Sequence, residues 1–458
     1  MGSWQKKWCG GGMNDTDVFT PRKQSEAIIL VYDKEHGMTL QENSEGLYAP
    51  LCGMHYSISG FEGAKVNLIP AEGTHKLLIL HYDWNIARLN KQLEFWNLGG
   101  LGMNMKDHML ALVNLLYANG WDKHWPVTLT KDGTGGKPAS YLYVRPYIYQ
   151  PEYERVSLCQ AREFSFMLMV HPEADYHEPG GKFGVLRVPQ WRELPNPEYK
   201  ISENYGLSTR WAKAYIGIFL EWAERENPPV VLDGRELHGE EKEGAIASMK
   251  KNLKDVLFHD RRGHLTEGMA SNVGIIEGNI LKTPPIWRRA LPGLTMQKIE
   301  LIFQEILGQG RKAKRQNIYM EDFVNADLAF FSANACGMKP VEEAYSSDWT
   351  CKDGIYMPCG AVHITTVKNS LLATEYPLIK GELDKINNGT SDLGSFTLDA
   401  EKFMNAKQAE RIHDVGHRLH RMTRRMENFR LIGKTPKNYR TKLANDKQLS
   451  QAKFLNIH

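Results

Sequence analysis

Apolar positions in the first third of the chain switch between a two-residue period and a helical one, and each switch marks an element. AIILVYD (27–33) reads as a strand. LLILHYDWNIARLNKQLEFW (77–96) reads as a strand running into a helix, with Ile86, Leu89, Leu93 and Trp96 on one face. MKDHMLALVNLLYANG (105–120) predicts a second helix that stops at Gly120, where a residue without Cβ suits the helix end. YLYVRPYIY (141–149) alternates as a strand does, and REFSFMLMV (162–170) predicts another. HPEADYHEPGGKFG (171–184) is rich in Pro and Gly and has no period, so it reads as an exposed connector.

A second α+β unit follows. KDVLFHD (254–260) and HLTEGMASNVGIIEGN (264–279) predict strands around an RRG turn, with Gly278-Asn279 as a hairpin signal. LTMQKIELIFQEIL (294–307) has helical spacing. Residues 209–250 read as an insertion: an aromatic-rich helix, then a charged, turn-rich stretch. EKFMNAKQAERIHDVGHRLHRMTRRMENF (401–429) predicts a long helix. The organisation expected is an N-terminal extension (1–26), a small α/β domain (27–170), a connector (171–184), a larger domain (185–395) and a basic helical extension (396–458).

Composition adds little. The 458 residues are 42% hydrophobic and 24% charged with a net charge of +3, which selects neither an acidic nor a basic partner. The charge is uneven, however: from Thr397 onward there are 14 Lys/Arg against 6 Asp/Glu. No apolar run reaches the roughly 18 residues of a membrane helix. The start, MGSWQKKWCGGGM, lacks the apolar stretch of a secretory signal. Its Lys6 stands where a myristoylation motif has Ser or Thr. Six scattered cysteines without a CxxC point to a reduced, cytoplasmic protein.

Two residues carry the chemistry. Lys200, between Tyr199 and Asn204-Tyr205, stands upstream of a carboxylate motif, whereas most lysines are only solvated surface charges. A lysine that condenses with an aldehyde must be desolvated, or lie near other cations, so that its amine is neutral. Glu267 would ordinarily be an exposed strand-end carboxylate, yet it lies inside LTEGMASNV, five residues before Asn272. Buried, such a group can hold a pyridinium nitrogen protonated. Other signals are weaker. His413, His417 and His420 share a helical face, but no acid or thiol completes a metal set and a solvated basic helix is the simpler reading. Cys351 and Cys359 have poor zinc spacing, and GTGGK (133–137) lacks the P-loop pattern, so no metal is expected.

At this point a resemblance is clear. HYSISGFEGAKV, DWNIARL, YVRP, YKISENYG, LTEGMASNV, KTPP, LPGLT and FFSANACGMKPV follow one another between residues 55 and 341. This ordered set resembles the branched-chain amino acid aminotransferase family, the class IV, fold-type IV pyridoxal phosphate enzymes. The resemblance implies two α/β domains with pyridoxal 5'-phosphate at their interface, in a homodimer. Lys200 would form the internal aldimine and carry the proton. Arg88 would clamp the phosphate together with the Leu294 and Thr295 backbone, Tyr205 would bond the phenolic oxygen, and Glu267 would face the ring nitrogen. Asn272 and Asn334 would complete the cofactor set. Tyr56, Phe61, Tyr143, Arg145, Asn334 and Ala335 would line the substrate pocket. Several positions depart from the family pattern: Ser202-Glu203 replaces Gly-Gly, Asn334 a threonine, and Met296 a frequent arginine. Ala270 also stands where some relatives have a hydroxyl residue.

The function implied is a ping-pong aminotransferase of amino acid metabolism. It would move the amino group of an apolar, branched-chain-type L-amino acid to a 2-oxo acid such as 2-oxoglutarate. Two alternatives stay open. One is another class IV enzyme: a D-amino acid or amine transaminase, or an aminodeoxychorismate lyase-like enzyme. The other is an inactive homologue that binds an acidic partner or nucleic acid through its basic tail, against which the retention of Lys200, Tyr205, Glu267 and Arg88 argues.

Overall fold

The computed structural model describes residues between 28 and 399, leaving aside 34–36, 43–58, 97–99, 102–104, 130–135, 150–164, 175–181, 192–198, 286–289, 392–396 and some isolated positions. The N-terminal extension, the predicted helix at 401–429 with its histidines, most of GTGGK, Tyr56 and Ala335 all lie outside the described residues.

The chain begins with β1 (Ile28–Asp33), β2 (Gly37–Glu42), β3 (Ser59–Phe61), β4 (Ala64–Ala71) and β5 (Thr74–Leu80). Helices α1 (Tyr82–Phe95) and α2 (Met105–Ala118) follow, then a small hairpin of β6 (Thr128–Leu129) and β7 (Lys137–Pro138), then β8 (Tyr141–Tyr149) and β9 (Ser165–Glu173). They build an antiparallel sheet in the order β2-β1-β9-β8-β4-β5, with β3 against β8 and residues Thr397–Asp399 outside β5. The alternation of β8 explains its place. Leu142, Val144 and Ile148 are buried against α1 and α2, while Tyr143, Arg145 and Tyr147 look out from the other face. Tyr143 and Arg145 are thereby aimed the same way.

The remainder starts with β10 (Gly184–Trp191), α3 (Ser202–Arg225), β11 (Val230–Leu232), β12 (Arg235–Leu237), α4 (Gly239–Asn252) and β13 (Leu253–His259). Next come β14 (Asn272–Glu277), β15 (Ile280–Thr283), α5 (Leu294–Leu301), which ends in a π turn, β16 (Lys312–Arg315) and α6 (Met320–Asn325). β17 (Leu328–Ala333), β18 (Gly337–Pro340), β19 (Glu343–Lys352), β20 (Ile355–Thr366) and α7 (Glu375–Asn387) complete it. A mixed sheet runs β12-β11-β20-β19-β10-β13, and a third runs β16-β15-β14-β17-β18. The second sheet buries its apolar face under α3 and α4, and the third under α5 and α7. A further cluster around Val185, Leu257, Val273 and Phe331 fills the space between these two sheets. Each such Leu, Val or Phe contributes on the order of 1.5–3 kcal/mol of transfer free energy. At the β14–β15 hairpin Gly278 takes φ +52°, a region that residues with a Cβ avoid.

Three expectations need correction. β9 continues through Glu173, because Tyr141–Tyr143 give His171–Glu173 ladder partners, so the aperiodic connector begins later. The aromatic-rich helix starts at Ser202 rather than near 209, which makes SENYG its first turns. HLTEGMASNV is not a strand until Asn272: residues 268–271 form a loop closed by a single bridge between Glu267 and Asn272. The cause is a buried carboxylate, Asp255 on β13. It accepts hydrogen bonds from the Met269 N–H at 2.8 Å and the Ser271 hydroxyl at 2.9 Å, which folds the loop over itself.

Candidate active site

Lys200 lies two residues before α3, next to its N-cap Ile201, and its backbone is fastened to the first sheet. Its carbonyl accepts from the Phe61 N–H at 3.3 Å, and Ile201 bridges Gly60. The half-buried side chain enters a ring of aromatic faces, with Nζ 5.1 Å from the ring centres of both Phe61 and Tyr205. Arg145 also lies beside Phe61, its guanidinium carbon 4.9 Å from that ring and 5.2 Å from Tyr143. Burial opposes ionisation of the Tyr143 phenol, but the charges of Arg145 and Lys200 outweigh it and hold the phenol below its ordinary value.

A cavity of about 380 Å³ opens beside Lys200. Its wall takes Arg88 from α1, Lys200 from just before α3, Tyr205 from α3, Glu267 and Asn272 from the 267–272 loop, Leu294 and Thr295 from α5, and Asn334 after β17. The structure thus brings Lys200, Arg88, Tyr205, Glu267, Asn272, Leu294, Thr295 and Asn334 to one place. Phe61, Tyr143 and Arg145 sit behind Lys200 rather than on that wall.

Glu267 is buried, and one of its oxygens accepts from the Leu291 N–H and from Asn272 Nδ2, the latter at 2.8 Å. Asn272 also donates to the Leu291 carbonyl at 2.8 Å, so this pair staples the LPGLT segment to the loop. Gly293 is required there, because a Cβ on it would stand 1.7 Å from Asn272 Oδ1. From Gly293 the chain enters α5, whose first-turn N–H groups have no acceptor inside the helix and form a ready anion site. Thr295 Oγ1 donates to Asn334 Oδ1 at 2.7 Å, and Asn334 Nδ2 donates to the Gly63 carbonyl at 2.6 Å. Ser332, on the same wall, has a buried hydroxyl without a hydrogen-bond partner.

Arg88 is more constrained than its motif implied. Nε and Nη2 both meet the Glu62 carboxylate at 2.7 Å, and Nη1 donates to the Pro292 carbonyl at 2.8 Å. Burial would push the guanidinium down, yet the charge and hydrogen bonds of Glu62 hold it above its usual value. Three of its five donors are therefore committed. Glu62 and Asp255 are the residues that sequence reasoning passed over. Glu62 was visible inside FEG but lacked a partner in view. Asp255 was a carboxylate on a strand whose following residues, Val256, Leu257 and Phe258, are apolar. Its burial raises it to about 6, even though the Met269 and Val256 N–H groups and the Ser271 hydroxyl all donate to it. Among the described residues no cluster of His, Cys, Asp and Glu could hold a metal, and no helix is long and apolar enough to cross a membrane.

Known proteins resemble this chain in part of its sequence and in its fold. Residues 244–344 match the family of amino-transferase class IV. The chloroplastic branched-chain-amino-acid aminotransferase 5 of Arabidopsis thaliana is 31% identical over 202 residues, 44% of this chain and 41% of that protein. Branched-chain-amino-acid aminotransferase 6 of the same plant is 23% identical over 203 residues, 44% of this chain and 48% of that one. The chain thus spans less than half the length of these curated relatives. Among solved structures, the branched-chain aminotransferase of Thermobaculum terrenum in its PLP form superposes with a TM-score of 0.57 at 14% identity, covering 82% of this chain and 99% of that one. That of Thermoproteus uzoniensis, with norvaline, gives 0.55 at 17% identity with the same coverage. The class IV match is thus confined to residues 244–344, and the fold is that of fold-type IV enzymes.

Proposed function

We propose that the chain is a pyridoxal phosphate-dependent aminotransferase acting on an apolar L-amino acid, including the branched-chain ones, with a 2-oxo acid such as 2-oxoglutarate as acceptor. One observation carries this reading. The Lys200 amine, the Glu267 carboxylate and the start of α5 face a single cavity of about 380 Å³. The residues present fit the cofactor. Gly293 leaves room where a Cβ would collide, the first N–H groups of α5 suit a phosphate, and the buried Ser332 hydroxyl still lacks a partner. Leu294, Thr295 and the two uncommitted N–H donors of Arg88 would hold the phosphate, Glu267 the ring nitrogen and Tyr205 the phenolic oxygen. Bound there, pyridoxal phosphate would supply an aldehyde for covalent capture of an amine and a ring able to store the electron pair released at the substrate Cα.

The chain's own groups supply the rest. Lys200 Nζ takes the Cα proton and returns it, and the aromatic faces of Phe61 and Tyr205 shelter it from water. Asn272 and the Leu291 N–H keep Glu267 aimed by donating to the same oxygen. Arg145 offers a cation to an α-carboxylate, and Phe61 with Tyr143 bounds the space for an apolar side chain. One cofactor serving two half-reactions implies ping-pong kinetics. A homodimer working in the cytoplasm belongs to the same proposal.

The test is optical. Purified protein should show a yellow band that L-leucine shifts and that Lys200→Ala lacks. A band shifted only by D-amino acids or amines would move the assignment to another class IV reaction. Protein that stays colourless and takes up no pyridoxal phosphate would refute it.

A further inference from the structure

We propose that Tyr319 is a covalent modification site, a solvent-facing phenol whose hydroxyl the buried His264–Asp260 pair activates toward small activated acyl donors. None of the three residues lines the cavity beside Lys200, and the inference does not depend on the aminotransferase reading.

The arrangement is built by the turn after β13. Gly263, at φ +82°, reverses the chain, and a bridge between His259 and Leu265 brings His264 back beside Asp260. The Asp260 carboxylate accepts from the Arg262 and His264 N–H groups at 2.8 and 3.0 Å, which fixes its direction. It also meets His264 Nδ1 at 2.9 Å. Burial opposes ionisation of Asp260, but the hydrogen bonds from His264 and Arg262 outweigh it and hold the carboxyl below its ordinary value. An ionised carboxylate can only accept, so Nδ1 carries the proton. The Nε2 lone pair is left to accept from the Tyr319 hydroxyl, 2.9 Å away. Tyr319 is itself held in place. The Ile318 carbonyl accepts from the Leu265 N–H at 2.8 Å, and the Tyr319 N–H donates to Asp322 Oδ2 at 2.8 Å as α6 begins. Asp260 and His264 are 7% and 5% exposed, whereas Tyr319 is 49% exposed. The base is therefore sheltered from water while the phenol is open to a reagent. A carboxylate-oriented imidazole beside a hydroxyl is an arrangement that activates that oxygen as a nucleophile. In the step, the Tyr319 oxygen bonds to the acyl carbon as its proton passes to His264 Nε2. The bond from the acyl carbon to the leaving group breaks, and the leaving group departs with the electron pair and takes up that proton. The product is an aryl ester on Tyr319, formed without oxidation or reduction.

A competing account makes the three residues a structural tie between the turn after β13 and the start of α6. Acetylation of the full chain by N-acetylimidazole, followed at Tyr319 by peptide mass spectrometry and reversed with hydroxylamine, separates the two. Tyr319 should be acetylated at least about tenfold faster in the folded chain than in the same chain unfolded in urea, as expected when a general base is in place. His264→Gln keeps an oxygen that can accept from the phenol but cannot carry its proton away, so the tie survives and the rate should fall at least about tenfold. Asp260→Asn removes the charge that sets the tautomer and should also slow the reaction at least about tenfold. The comparison of folded with unfolded chain needs no variant and decides the question where a variant misfolds. Acetylation of Tyr319 no faster in the folded chain than in the unfolded one overturns the proposal. So does a folded His264→Gln or Asp260→Asn protein that keeps the wild-type rate.

Discussion

Replacing Glu62 should cost stability and distort the cavity together, because one carboxylate organises both. Its side chain is fully buried and receives two N–H groups of Arg88 at 2.7 Å, Asn85 Nδ2 at 2.9 Å and Gln92 Nε2 at 3.5 Å. Glu62→Ala leaves the guanidinium uncompensated in the interior, a loss of about 3–5 kcal/mol, and leaves the Asn85 amide only its Gly63 carbonyl acceptor at 3.2 Å, for about 1 kcal/mol more. Glu62→Gln keeps the shape but not the charge and should lose about 2–3 kcal/mol. The double variant Glu62→Leu/Arg88→Met removes both charges and should recover most of the loss, since a buried ion pair adds little over an apolar pair of similar volume. Urea unfolding followed by tryptophan fluorescence reads all three. The released Arg88 also loosens its hold on the Pro292 carbonyl, so pyridoxal phosphate should bind Glu62→Gln at least about tenfold more weakly. A Glu62→Gln protein within about 0.5 kcal/mol of wild type, or a double variant no better than Glu62→Ala, would refute the reasoning.

Two further expectations concern the 267–293 region. In Gly293→Ala the new Cβ would stand 1.7 Å from Asn272 Oδ1 and force that amide off Glu267. Cofactor affinity, measured by fluorescence titration, should fall at least about tenfold with the fold retained. Burial pushes the Asp255 carboxyl up from its ordinary 3.8 to about 6 in the folded protein. Its protonated form is thus favoured by folding, and the stability it contributes is complete below about pH 4 and lost as pH rises through about 6, on the order of 3 kcal/mol. Asp255→Asn should remove that loss and flatten the stability curve between pH 4 and 6, because the Ser271 hydroxyl can turn from donor to acceptor. A variant that retains the wild-type slope would exclude Asp255 as its source.

The local elements were legible wherever one period ran unbroken. β8 alternates cleanly, so Tyr143 and Arg145 could be assigned to one face before any contact was known. The hairpin at Gly278 and the helix opening after Pro292-Gly293 follow from turn and cap chemistry that acts within a few residues. The 264–272 segment was misread as a strand, because the residue that bends it, Asp255, lies 16 positions before Ser271 on another element. The start of α3 was placed too late for a related reason. Ser202 and Glu203 are turn-like and charged, and only the tie between Lys200 and Phe61 marks where the helix begins.

By itself, then, the sequence singled out the candidate groups and the elements that carry them: a lysine before a helix, a carboxylate before a strand, and a Pro-Gly entry to α5. Periodicity and turn chemistry are short-range, and those features needed nothing else. Tertiary structure alone decided how the groups are held. The Glu62–Arg88 fork spans 26 residues, the Arg88–Pro292 contact 204, and the Asn334–Gly63 contact 271. It also decided that Lys298, which the helical pattern treats as one more position on α5, faces inward beside Lys65. The partners of a buried charge are selected by which surfaces pack together, and the spacing of residues along the chain carries no record of that.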